Sequence, residues 1–198
     1  TTGKIKYKSQ KDADELSYNE IKEKIIHRTV QYIPDYAGIV NTVIEKTKYQ
    51  DEKYKGFVKE CEEGILELFA PDRNTYNESQ NSKRPHNIRS LKCAIRDFYR
   101  VYAILVEKGF EDIDKRFYSF ISYMIAYKAN IAKEGYYGTL FSDKEVQELY
   151  PAFQNQYMLA TVKKWILRGI WDVDALTYEI EVIQSKKKAE TPSDIVRT

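Results

Sequence analysis

Residues 117–127, FYSFISYMIAY, carry no charged side chain and constrain the fold more than any other stretch. Read as part of a helix from about Asp112 to Lys133, this segment is apolar nearly all round. Such a helix must be covered on several sides. The spacing elsewhere predicts the helices that would cover it. Pro34-Asp35 opens one that runs to about Lys48 with Ile39, Val43 and Ile44 on its edge. Another spans about Glu52 to Phe69, with Phe57, Cys61, Ile65 and Leu68 recurring at three- and four-residue steps. Asn87 caps a long helix whose core edge is Ile88, Leu91, Ile95, Phe98, Tyr102 and Leu105, ended by Gly109 after Lys108. Ser142 and Glu145 form a capping box for a helix that stops before Pro151. The last two predicted helices run from about Gln154 to Ile170 and from about Asp172, the second showing Leu176, Ile180 and Ile183.

The expected fold is therefore mainly α, a multi-helix bundle with at most a short strand or extended segment near the N-terminus. That segment is residues 29–33, TVQYI, which follow a short helix opened by Ser17 and Glu20. The chain of 198 residues suits one domain and buries a sizeable core. Eight glycines and five prolines leave little material for long loops. The one long loop is 71–86, PDRNTYNESQNSKRPH. The expected division is an arm and short helix over 1–33, a helical domain over 34–185, and a flexible tail over 186–198.

Charge excludes some classes of function. The 32 basic and 30 acidic residues leave a net charge of +2. At the scale of the whole chain this argues against nucleic acid as a partner, so any anion site must be local. The run Lys186 to Lys188 reads as a solvated terminal charge cluster. Two cysteines give no disulfide framework, which together with the lack of a membrane span points to the cytoplasm. Seventeen tyrosines suit thin helical layers and surfaces that meet a protein partner or a second copy of the chain.

Complete catalytic motifs are missing. No GxxxxGK[ST] stretch exists to cradle phosphates with backbone amides. His27, Cys61, His86 and Cys93 lack the paired short spacings of metal ligands. No GxSxG or comparable nucleophile context occurs. What remains is a basic stripe on the helix that follows Asn87. Arg89, Lys92, Arg96 and Arg100 cluster opposite its core edge. One explanation is a solvated face balanced by Asp97 and Glu107. The other uses the helix start, where first-turn amides and the dipole favour an anion and an arginine can close over a phosphate. On that account Arg89 and Asn87 are candidates to hold a phosphate at the helix start, with Lys92, Arg96 and Arg100 as candidate anion-binding residues.

The segment HNIRSLKCAIRDF, residues 86–98, resembles the lid helix of AAA+-like and KAP-like bacterial P-loop ATPases. There an Asn-x-Arg at a helix start precedes a hydrophobic helix of the form RxLKxxI. Residues 17–35, SYNEIKEKIIHRTVQYIPD, resemble the stretch in KAP-like ATPases where the core ends and the lid begins. The resemblance covers about residues 17–108. It implies that Arg89 is the sensor arginine that reaches ATP and that Asn87 caps its helix. It also implies that residues 1–33 join a preceding core domain of the same polypeptide. ATP, magnesium and the hydrolytic residues belong to that core, before Thr1, and no cofactor belongs to this chain itself. Residues 110–185 would be a helical extension that holds partners or senses a signal. The competing classes are a stand-alone all-α protein-interaction module and a weak nucleic-acid-binding helical domain that uses the stripe and the tail.

Overall fold

A computed structural model describes residues 34–71, 84–131, 143–150 and 157–190. All but Pro34 belong to the compact unit Asp35–Thr198. The expected arm, first helix and strand lie outside the described residues, as do most of the long loop and Ser142. The described residues form eight α-helices and no strand: α1 Tyr36–Lys46, α2 Glu52–Glu60, α3 Glu62–Phe69, α4 Ile88–Glu107, α5 Ile113–Lys128, α6 Asp143–Leu149, α7 Ala160–Arg168 and α8 Val173–Glu190. The chain is a mainly α, multi-helix bundle.

The apolar stretch does organise the core. In α5 Arg116, Phe117 and every residue from Ser119 to Ala126 are buried. Helix α4 packs along it, α3 covers another side, and α6 and α7 close the rest. Helices α1 and α2 join α3 and α4 in a second layer, and α8 packs on α7. An aromatic spine runs through these layers. Phe57 meets Phe117 at 5.3 Å, Phe98 meets Phe120 at 5.3 Å, and Phe120 stacks on Trp165 at 6.0 Å. Such ring pairs add to their area burial through edge-to-face and offset contacts. Buried Tyr54 donates its hydroxyl proton to the Ile95 carbonyl, which ties α2 to α4.

Helix ends follow local chemistry. Asp35 caps α1 through its bond from the Gly38 amide at 3.0 Å. Helix α4 ends as expected at Gly109, which sits at φ 60. There the Phe110 amide bonds the Leu105 carbonyl and the Gly109 amide bonds that of Val106, which satisfies two terminal acceptors.

Four expectations need correction. The helix predicted over Glu52 to Phe69 is two helices, broken at Cys61, whose backbone turns out of the helical region at φ −86, ψ 2. The break lays Gly64 against Tyr118 and leaves Cys61 buried. Burial pushes its thiol up to about 11, so Cys61 acts as a small hydrophobe. Ile88, placed on the core edge, is 47% exposed because it precedes the part of α4 that its neighbours cover. Leu91, Ile95, Phe98 and Leu105 are buried as expected, and Ser90, Ala94 and Val101 join them, so the buried face is wider than the predicted edge. Helix α7 begins at Ala160 rather than near Gln154, and Ile170 lies beyond its end at 53% exposure, after Gly169 turns at φ 72. Finally, α8 continues to Glu190, so the expected start of the tail at 186 falls inside a helix.

The close approach at Gly64 makes a prediction. A Cβ there would stand 2.4 Å from the Tyr118 ring. Gly64→Ala should therefore displace Tyr118 and destabilise the fold by about 1–2 kcal/mol, since overpacking outweighs the gain in helix propensity. Urea unfolding that shows a stabilised variant would contradict this packing.

Candidate functional site

The start of α4 is held from both sides. Arg84 is buried, and it donates from Nε to the Leu149 carbonyl at 3.0 Å. One of its terminal nitrogens reaches the carbonyls of Ala70 at 2.7 Å and Glu67 at 3.3 Å. The guanidinium lies 5.2 Å from the centre of the Tyr150 ring. His86 Nδ1 sits 2.6 Å from the Phe69 carbonyl, and its ring packs between Tyr36 and Phe69. Just before the cap, Arg84 is thus tied to the ends of α3 and α6, and His86 to the end of α3.

Asn87 is the cap that the sequence predicts. Its side-chain oxygen accepts from the amides of Arg89 at 3.0 Å and Ser90 at 3.2 Å. This corrects one expectation about the helix start. Two of the first-turn amides that might have shared an anion already serve Asn87, so an anion at this end would depend on side chains.

The four cations all lie exposed on one side of α4, as the spacing predicts. The fold divides them into two pairs. The side chains of Arg89 and Lys92 make no hydrogen bond or ion pair with any described residue. Arg96 donates from Nε and a terminal nitrogen to one oxygen of Asp97, both at 3.0 Å. That bond raises the Arg96 pKa above its ordinary value. Arg100 holds its guanidinium 5.9 Å from the centre of the Trp165 ring. Glu107 lies in the last turn of α4, remote from Arg89. Asp97 is the carboxylate that balances the stripe, as expected, and it acts on Arg96 alone.

Sequence spacing did not reveal Trp165 as a neighbour of the stripe. Trp165 meets Trp171 at 4.7 Å, with ring planes at 65°. The two indoles come from α7 and from the link to α8, more than sixty residues beyond Arg100, so only the tertiary fold brings them together. A further carboxylate also went unread. Glu179 on α8 accepts from the amides of Ala160 at 2.6 Å and Thr161 at 2.9 Å. It caps α7, which has no side-chain cap of its own.

Among the described residues no helix is long and apolar enough to cross a membrane. Comparison with known proteins finds no matching family model, curated protein or solved structure.

Proposed function

We propose that this chain is the C-terminal helical lid and regulatory region of a larger P-loop ATPase, in which Arg89 reaches the phosphates of ATP bound by a core domain outside these residues. One observation carries the reading. Of the four stripe cations, the one in the first turn of α4 extends from an anchored helix start without an internal partner, whereas Arg96 and Arg100 are engaged elsewhere. A rigid base beneath an uncommitted guanidinium suits charge-assisted, two-point contact with phosphate. Asn87 serves as the cap that fixes the direction of the helix. The chemistry of hydrolysis, with its magnesium, belongs to the core, and ATP places the assembly in the cytoplasm.

The test uses the polypeptide that joins the core to this region. Arg89→Ala should lower ATP turnover about tenfold, the equivalent of one phosphate contact worth roughly 1.4 kcal/mol in the transition state. Arg96→Ala and Arg100→Ala should change it little. Residues 1–198 alone should give no calorimetric signal of micromolar ATP binding, because a single guanidinium does not offset the entropy of association. Equal turnover for wild type and Arg89→Ala, or micromolar affinity of the chain alone, would remove the sensor role.

A further inference from the structure

We propose a second binding surface, a track for a single nucleic-acid strand that runs from the middle of α4 to the link between α7 and α8. Lys92, Arg96 and Arg100 would contact successive phosphates, and Trp171 would offer a ring on which a base stacks. This surface does not depend on the lid reading.

The argument rests on charge and ring geometry that meet in one place. Eight residues separate Lys92 from Arg100, about 12 Å along the helix axis at 1.5 Å per residue. The three side chains are exposed along that length. Arg100 joins the basic line to the indoles, since its guanidinium lies over Trp165. Trp165 is half-buried, with its ring stacked on Phe120 of the core. Trp171 stands at a steep angle to it in the link to α8 and, like Trp165, is half-buried, so part of its ring faces solvent. A basic groove that ends on an aromatic ring is the arrangement by which proteins hold unpaired strands without reading sequence, because every base has a stackable face. A duplex would satisfy the cations and leave the indole without a base.

Nearby carboxylates limit the affinity. Asp97 neutralises part of Arg96. Asp172, beside Trp171, is turned to cap α8 through the Ala175 amide at 2.9 Å. The expected binding is therefore weak and steeply salt-dependent. Three phosphate contacts predict a slope of roughly −2 in log affinity against log salt for a single strand.

The chain has two tryptophans, and both lie in this track, so selectively excited tryptophan emission is sensitive to a strand bound there. Fluorescein-labelled dT12 and rU12 should raise anisotropy with the whole chain at 50 mM salt. Unlabelled strands should quench tryptophan emission with the same midpoint. DNA and RNA arms that agree identify the shared backbone-and-base chemistry, and a difference identifies the preferred strand. Lys92→Glu combined with Arg96→Glu should weaken binding at least tenfold. Trp171→Ala should weaken it about tenfold, with Trp171→Phe recovering most of the loss. Circular dichroism checks that each variant is folded, and the exposed Lys92→Glu change provides a test that leaves the core intact. Three results would overturn the proposal. They are no anisotropy change at 100 μM protein, binding without quenching that ignores Lys92→Glu, and equal affinity for a duplex of the same length.

Discussion

Phe120→Ala should lower the free energy of unfolding by about 3–5 kcal/mol, the range for deleting a fully buried phenylalanine. Phe120 has no exposed surface and stands where the layers meet. Its ring touches Phe98 of α4 on one side and Trp165 of α7 on the other. Truncation removes the apolar transfer energy and also opens a cavity between three helices that are fixed by their other contacts, so collapse into the gap is limited. For a domain whose total stability is of order 5–15 kcal/mol, that loss is a large fraction. Urea unfolding followed by far-ultraviolet circular dichroism measures it. Intrinsic tryptophan emission should shift as well, because Trp165 loses a stacking partner. A loss under about 1 kcal/mol would mean that α4, α5 and α7 do not meet at this ring.

Arg84→Ala should cost about 3 kcal/mol, an unusual amount for an arginine from a polar segment. Surface arginines typically contribute a few tenths. Arg84 instead satisfies three carbonyls that terminate helices, those of Glu67, Ala70 and Leu149. Removing the donors leaves three part-buried acceptors without this partner, which costs more than the bonds themselves contribute in net terms. The ring of Tyr150 also loses the guanidinium that lies over it. Arg84→Met separates these effects. It keeps the stem and the packing but supplies no donor, so it should recover less than half of the loss. Urea unfolding of the three proteins is the measurement. If Arg84→Ala unfolds within about 1 kcal/mol of wild type, the ends of α3 and α6 are not held by this side chain. Because Arg84 lies three residues before Asn87, its loss should also loosen the base on which Arg89 stands. The hydrogen-exchange protection of the Arg89 and Ser90 amides should therefore fall in Arg84→Ala.

The run 117–127 by itself determined that the chain must be a helical bundle. A segment apolar on all faces has no stable place except inside other helices, and the three- and four-residue spacings on either side supplied them. Local rules also predicted the cap at Asn87, the turn at Gly109 and the exposed side of α4, since each depends on residues within one or two turns. The tertiary structure decided what such rules do not contain. The break at Cys61 accompanies the close approach of Gly64 to Tyr118, a contact across more than fifty residues. The widening of the buried face of α4, which takes in Ser90, Ala94 and Val101 and leaves Ile88 exposed, follows from which neighbours cover it. Arg84 reads as a loop cation and is a buried tie between two helix ends. The sequence separates Arg89 from the other three stripe cations by its place in the first turn. Only the fold shows that Asp97 engages Arg96, that Arg100 lies near Trp165, and that the side chains of Arg89 and Lys92 have no partner among the described residues. Periodicity reports which side of a helix is wet. Which wet charge is available to a ligand depends on the side chains that other helices bring beside it.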